Sequence, residues 1–327
     1  MTTTTGTKTS TRARKTYDGP SPEEQLAAEL VELMQTAELP PWRKQWTATS
    51  GNHRNLITGA DYSGSNPLLL ELGSMMRGHT LPLWLGAAQA KARNWWPKKG
   101  SKCCRILRPQ ANSYSTTEQD PATGQDVDVT KAWTSYKAVA VFNAHDFKGV
   151  DEAAEQALQA AINAAIGHTT TKPPAERLEQ AEQQLEAWLV PTTYGGPIAW
   201  YWPKEDQIMM PPPDSFDNRE AYVATWAHEQ AHSTGHKARL NRPQNNSQGS
   251  KAYAYEELVA ELASVLICYR LQVGCCLTNH AAYLKGWAEI LSAEPKSLFQ
   301  ILGKARAAAD LIVPPTTTTT ATAEVQS

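Results

Sequence analysis

The sequence predicts an α+β chain of two folded blocks, the second mostly helical, joined by a helical hairpin. Three observations carry that reading. Short apolar runs broken by Gly, Pro and Asn dominate up to about residue 150; Ala-, Gln-, Glu- and Leu-rich segments fill 151–190; and beyond 191 a brief strand pair gives way to successive helical segments. At 327 residues there is chain enough for two ordinary domains.

Residues 1–18 are Thr-rich and carry Lys8, Arg12, Arg14 and Lys15, which predicts a disordered basic arm. The first block runs over 19–150. Ser21-Pro22-Glu23-Glu24 reads as a helix start, with Leu26, Leu30, Leu33 and Met34 following at helical spacing until Pro40-Pro41. A loop passes through Trp42 and Trp46 to Tyr62. Helices are expected over 67–76 and 82–92, and strands over 102–108 and 137–142, where Ala138 to Phe142 form an apolar run. The stretch 116–129 is acidic, polar and contains Gly and Pro, so a long hairpin loop is expected there. Helices over 151–166 and 175–189 make the connector (151–190). The second block, 191–313, opens with a strand or hairpin over 198–202 and 206–210, closed by Pro211-Pro212-Pro213. Helices follow over about 217–234, 251–272, 280–292 and 295–311. Residues 314–327, rich in Pro, Thr and Ala, are expected to be a disordered tail.

Composition is that of a globular protein, and the formal net charge of −2 gives no bulk argument for nucleic acid or membrane. The five cysteines, two adjacent pairs and a single, have neither disulfide-framework nor zinc-ribbon spacing. Reduced thiols in a cytoplasmic setting are expected. There is no apolar leader and no uninterrupted apolar run of about 18 residues, so neither a secretory signal nor a membrane span is expected.

The chemistry concentrates in His228-Glu229-Gln230-Ala231-His232. Asp217 with Glu220 resembles a capping box that would start a helix, and Gly235 is placed to end it. On that helix His228 and His232 are one turn apart on one face, so both imidazoles can reach one divalent cation, zinc by donor type. Glu229 is rotated by one residue and projects beside the ion as the candidate general base. A third ligand is sought in Glu256-Glu257-Leu258-Val259-Ala260-Glu261, where apolar neighbours predict burial and buried carboxylates need a cation or donors. The run resembles the Glu-x-x-Ala-Asp of zinc peptidases, which implies Glu257 as ligand and Glu261 behind a histidine, with the reverse order open. His236 reads as a surface histidine, and Tyr253 and Tyr255 as packing residues.

The first block carries a different anomaly. From Arg77 to Arg108 there are eight Lys or Arg residues and no acid, with Trp84, Trp95 and Trp96 among them. Trp42, Arg43, Lys44 and Trp46 lie upstream, with Arg54 and Tyr62 nearby. Cations interleaved with aromatics suit a single-stranded nucleic acid, whose phosphates they neutralise and whose bases stack at about 1–3 kcal/mol each. Lys98-Lys99-Gly100-Ser101-Lys102 reads as a loop tip that a phosphate could approach. No zinc-finger spacing or helix-turn-helix pattern argues for base-specific readout.

Over residues 19–311 the chain resembles the ArdC-type antirestriction proteins, a family related to TraC-like plasmid primase proteins. The resemblance rests on Pro41-Trp42-x-x-x-Trp46, Asn55-Leu56-Ile57-Thr58-Gly59-x-x-Tyr62-x-Gly64-x-Asn66, Trp84-Leu85-x-x-x-Gln89-Ala90, Lys99-Gly100-x-Lys102 and Val141-Phe142-Asn143. Farther on it rests on Ala199-x-Tyr201, Asp206-x-Ile208-x-Met210-Pro211, the His228–His232 run with Thr234-Gly235, Arg239-Leu240-x-Arg242 and the Glu256–Glu261 run. It departs at Gln45, where the family has Pro, and at Ser101, where it has an acid. The resemblance implies a single-stranded-DNA-binding domain followed by a zincin-like metallopeptidase domain, serving a plasmid or phage by protecting incoming DNA. The DNA contacts so implied, with little sequence preference, are Trp42, Arg43, Lys44, Trp46, Arg54, Asn55, Tyr62, Asn66, Trp84, Gln89, Lys98, Lys99 and Lys102. An active peptidase cleaving a host or element protein is the alternative, and a replication accessory a weaker one, since no acidic triad of a nucleotidyl transferase is present.

Overall fold

A computed structural model of the protein describes residues 53–119, 124–167, 173–244, 247, 249–273 and 281–315, with Glu24, Ala27, Ala28, Val31 and Glu32, all helical, ahead of them. The expected arm over 1–18, the loop bearing Trp42, Arg43, Lys44 and Trp46, and positions 316–327 of the expected tail lie outside the described residues.

The N-terminal part is built on a four-stranded sheet in the order β1-β2-β5-β4, from Arg54–Asn55 (β1), Leu83–Leu85 (β2), Cys104–Gln119 (β4) and Asp126–Asn143 (β5). β1 pairs parallel with β2, and the other neighbours are antiparallel. Helix α1, Asn66–Arg77, starts with Pro in its first turn and stops at Gly78, whose φ of 68° places it in the left-handed region that glycine tolerates. The Asn66 side chain takes both backbone groups of Leu107 on β4, its Oδ1 accepting at 2.8 Å and its Nδ2 donating at 3.0 Å. Leu70 of α1 meets Trp84, Cys104, Ile106 and Val141 in a small core.

Two expectations fail here. The helix expected over 82–92 is instead strand β2 followed by a short helix α2, Ala87–Lys91. Leu83, Trp84 and Leu85 are buried on both faces, and a continuous apolar run cannot by itself distinguish helix from buried strand. Gly86 is extended and opens α2, with the Gln89 side chain accepting from its N–H at 3.0 Å. The loop expected over 116–129 is mostly strand: β4 and β5 stay paired out to Gln119 and Asp126. Cross-strand side-chain bonds such as Ser115 to Thr130 and Thr117 to Asp128 mark a ribbon whose polarity reflects solvent, not irregular structure.

Strands β3 (Trp95–Pro97) and β6 (Phe147–Gly149) pair, and α3 (Glu152–Gly167) packs over them through Leu158 and Ile162. Helix α4, Pro174–Glu186, instead sends Leu178, Ala181 and Leu185 into the C-terminal core. The helical hairpin expected over 151–190 is therefore two helices resting on two different cores.

The C-terminal part has a three-stranded sheet in the order β7-β9-β8: Thr192–Tyr194 (β7), Gln207–Met210 (β9) and Trp200–Trp202 (β8). β7 was not anticipated. The helices are α5 (Arg219–Ser233), α6 (Lys251–Leu271), α7 (Ala281–Ala293) and α8 (Ser297–Ile312). Helix α6 is the central rod, buried on every side from Glu256 to Cys268. Helix α1 also contributes here, because Leu68 and Leu69 belong to the C-terminal core. Among the described cysteines, Cys103, Cys104 and Cys268 form no disulfide, and the Cys104 thiol donates to the Leu69 carbonyl at 3.3 Å.

Candidate metal centre

Helix α5 carries the His-Glu-x-x-His run. Its cap is Asn218, whose side chain accepts from the Ala221 N–H at 2.8 Å, rather than the expected Asp217 one residue earlier. The helix ends at Ser233 beside Gly235, where an added Cβ would sit 2.5 Å from Gln244 Nε2 and 3.1 Å from an Arg242 nitrogen. The ends of the Gln244 and Arg242 side chains thus close over Gly235, and a side chain there would have to displace them.

His228 and His232 point the same way from α5, their rings edge to face at 4.6 Å and their Nε2 atoms 3.1 Å apart. Helix α6 packs across α5 and brings Glu257 to them. Its Oε2 lies 3.6 Å from His228 Nε2 and its Oε1 3.6 Å from His232 Nε2. One donor atom from each of the three residues falls within 4.8 Å of the others. Behind each imidazole stands a further carboxylate. Glu261 Oε2 is 3.5 Å from His228 Nδ1, and Glu256 Oε1 is 3.5 Å from His232 Nδ1. Arg242 grips Glu256 and also donates to Thr234 Oγ1 at 2.8 Å and to the Ala231 carbonyl at 2.9 Å, tying the loop after α5 to both helices.

The electrostatics follow from this enclosure. Burial alone would drive the His228 imidazolium down, but Glu257 and Glu261 outweigh it and hold its pKa up at about 9. His232 is raised well above the usual value in the same way, against its burial, by Glu257 and Glu256. Glu257, although buried, is held well below the carboxylate range by His232 and His228. Glu229 goes the other way. Desolvation pushes its carboxyl up despite the two nearby histidines and a hydrogen bond from the Tyr201 backbone N–H.

Two imidazole nitrogens and a carboxylate converging in a buried place are the donor set of a three-residue divalent site. The residues fit such an ion in a second respect: with a carboxylate facing each Nδ1, both Nε2 atoms are left turned toward the common point. Strand β8 lies over α5 and is held there by its own latch. The Tyr201 hydroxyl donates to Asp206 Oδ1 at 2.7 Å, Arg239 Nη1 donates to Asp206 Oδ2 at 2.9 Å, and Arg239 Nε donates to the Ser233 carbonyl at 2.8 Å.

The structure brings His228, His232, Glu229, Glu257 and Glu261 together, with Glu257 between the two Nε2 atoms and Glu261 beside His228 Nδ1. Glu256 and Arg242 had no assigned role, although both stood inside quoted motifs. His236 Nδ1 accepts from the Ala238 N–H at 3.3 Å and lies 3.9 Å from Asp206, and Tyr255 packs beneath the Lys304 ammonium, 4.5 Å from its ring centre.

The expected DNA contacts fare less evenly. Trp84 is fully buried and its indole N–H donates to His53 Nδ1 at 3.0 Å, so as folded it is a core residue and not a stacking platform. The Asn55 side chain accepts from the Ile57 and Thr58 N–H groups, both at 3.0 Å, and donates to Gln89 at 3.1 Å. Arg54 faces Asp61 at 3.6 Å, Tyr62 is half-buried, and Asn66 is committed to Leu107. These residues shape the domain. Lys98, Lys99 and Lys102 are exposed, with the Lys98 ammonium donating to the His145 carbonyl at 2.7 Å. Trp96, not singled out as a contact, is 46% exposed with the Lys91 ammonium 5.8 Å from its ring centre.

A helix-borne His-Glu-x-x-His run, a glutamate from the next long helix and a small sheet laid over the first define a zincin-like metallopeptidase domain, here behind a separate α+β domain. Residues 179–305 match the zincin-like metallopeptidase family MPTase-PolyVal, and residues 21–142 match the N-terminal domain of anti-restriction factor ArdC. The chain is 31% identical over 311 residues to a DNA primase TraC of Escherichia coli, spanning 89% of this chain but 27% of that protein. A second Escherichia coli TraC is 32% identical over 301 residues, 19% of its length. The uncharacterized protein y4eC of Sinorhizobium fredii is 28% identical over 275 residues, 83% of each chain. Two crystal structures of the antirestriction protein ArdC from plasmid R388 share the architecture. The metal-free one has a TM-score of 0.60 at 26% identity and the Mn(II)-bound one 0.61 at 25%, each covering 89% of this chain and 96% of that one. Together these matches support an ArdC-type protein related to TraC-like proteins.

Proposed function

We propose that the protein is an antirestriction-type factor of a plasmid or phage that binds single-stranded DNA through residues 19–150, protects it, and holds a divalent metal within residues 191–313. Residues 1–18 and 314–327 are flanking arms in this reading, and its setting is the cytoplasm; no helix among the described residues is long and apolar enough to cross a membrane.

The observation that carries the metal assignment is the convergence of His228, His232 and Glu257 within 4.8 Å. Zinc is the ion the donors suit best, and the R388 ArdC protein with Mn(II) bound supports a divalent ion more broadly. These three residues hold the ion, which supplies Lewis acidity when bound. Glu261 and Glu256 hold the two rings in place. Glu229, a desolvated carboxyl of raised pKa beside the ligands, is the group that accepts a proton from water. Support for the DNA assignment comes from the acid-free stretch between Arg77 and Arg108, from the exposed Trp96 with its lysine, and from the ArdC N-terminal family match.

Elemental analysis of the full chain is expected to find one divalent ion per molecule, lost in His228→Ala. Fluorescence anisotropy is expected to show oligo-dT binding that weakens steeply with salt and depends little on sequence. A chain that retains no metal, or ignores oligo-dT at low salt, overturns the corresponding half. The burial of Glu229 favours a second reading, an active metallopeptidase cutting a host or element protein. Under it Glu229→Gln keeps the metal and abolishes both cleavage and antirestriction, whereas wild-type antirestriction in that variant refutes it.

A further inference from the structure

The β4–β5 ribbon extends far beyond its sheet. β5 pairs with β2 only at Phe142 and Asn143, so the outer part of the ribbon has β4 as its one strand partner among the described residues. Isolated two-stranded ribbons are marginally stable, and one that exposes Tyr114 by 51% and Trp133 by 50% calls for a surface to meet.

The register shows which face would meet it. Directly opposed residues share a face, and faces alternate along each strand. One face begins at the base with Cys104, Ile106, Val139 and Val141, which pack in the domain core. Followed outward it presents Arg108 opposite Lys137, then Trp133 opposite Asn112, then Tyr114 opposite Lys131. The two aromatic rings lie against each other edge to face at 5.8 Å. Along the ribbon this face carries three cations against one acid, Glu118, which pairs with Lys131. Asp126 and Asp128 fall on the opposite face with Arg105. From Arg108 to Tyr114 is six residues, about 20 Å at a strand's rise.

Resting on the single-stranded-DNA reading above, we infer that the outer β4–β5 ribbon is a contact arm for single-stranded nucleic acid. Tyr114 and Trp133 stack on unpaired bases, and Arg108 and Lys137 hold the phosphates nearer the domain. Three of the ribbon's four cations and the Tyr114–Trp133 pair lie on one face, with two of its three acids on the other, which fits a polyanion with exposed rings.

The test is anisotropy of labelled oligo-dT with the full chain at low salt. Tyr114→Ala/Trp133→Ala is expected to weaken binding at least about tenfold with an unchanged thermal midpoint, and Tyr114→Phe/Trp133→Phe to restore most of it. Arg108→Ala/Lys137→Ala is expected to flatten the log-log salt slope by about 1–2. Wild-type affinity in the double-alanine variant overturns the ribbon assignment and leaves the wider reading standing. Loss on duplex DNA alone, with oligo-dT binding kept, overturns it too. A wild-type chain that ignores oligo-dT overturns both.

Discussion

Arg242 holds the Glu256 carboxylate with two nitrogens, Nε at 2.9 Å from Oε2 and Nη2 at 2.7 Å from Oε1, and both side chains are nearly sealed from solvent. Removing one member of such a pair leaves a buried charge without compensation, which costs about 3–5 kcal/mol. Arg242→Met is expected to lose that much in urea unfolding of the metal-free chain. A loss under about 1 kcal/mol would mean that the remaining carboxylate escapes to water.

The two acids of α6 nearest His228 are expected to separate by role. Glu257→Ala should abolish metal retention during gel filtration with a competing chelator. Glu261→Gln should retain the ion about 10–100-fold more weakly, the usual effect of altering a group that orients a ligand imidazole. The reverse pattern would exchange their assignments.

Asp206 sits at φ 50°, a conformation asparagine also accepts, so Asp206→Asn tests its charge with little backbone strain. Arg239 foremost, then Tyr201, hold the Asp206 carboxyl below its usual pKa against partial burial. The sign is that of a depressed acid. Its stabilisation is present above the unfolded-state carboxylate pKa and is lost as pH falls through the lower folded value. Asp206→Asn should therefore be less stable than wild type at pH 7, and the gap should narrow on acidification to about pH 3. A gap independent of pH in urea midpoints would remove the charge from the explanation.

Trp84 and Trp96 should behave oppositely. Trp84→Ala empties a fully buried site and is expected to cost about 3–5 kcal/mol. Trp96→Ala is expected to leave the thermal midpoint nearly unchanged and weaken oligo-dT binding. Equal stability losses in the two variants would contradict the difference in their burial.

The metal helix was legible because a helical turn puts His228 and His232 on one face whatever surrounds them. Glu257 and Glu261 were singled out through the likeness of their run to the Glu-x-x-Ala-Asp of zinc peptidases, while the residues alone left the order of their roles open. Glu256 was not, because α6 is buried all round and has no polar face to show which neighbour each acid meets. Its partner Arg242 comes from a loop whose path depends on the contact itself. Trp84 misled because a tryptophan among lysines reads alike whether it packs inward or outward. The ribbon was missed because strand propensity is hard to see where neither face carries a continuous apolar pattern.

Helix α1 has a consequence for handling this protein. Consecutive leucines serve different masters: Leu70 faces the N-terminal sheet, while Leu68 and Leu69 are sunk among the C-terminal helices. Ser65 Oγ reaches the Leu302 carbonyl at 3.3 Å, and the Tyr269 hydroxyl accepts from the His53 N–H. A chain cut near residue 150 would bare greasy surface on both pieces, inviting aggregation in either. The lobes should melt as one cooperative unit, and loosening either one will be felt in the other.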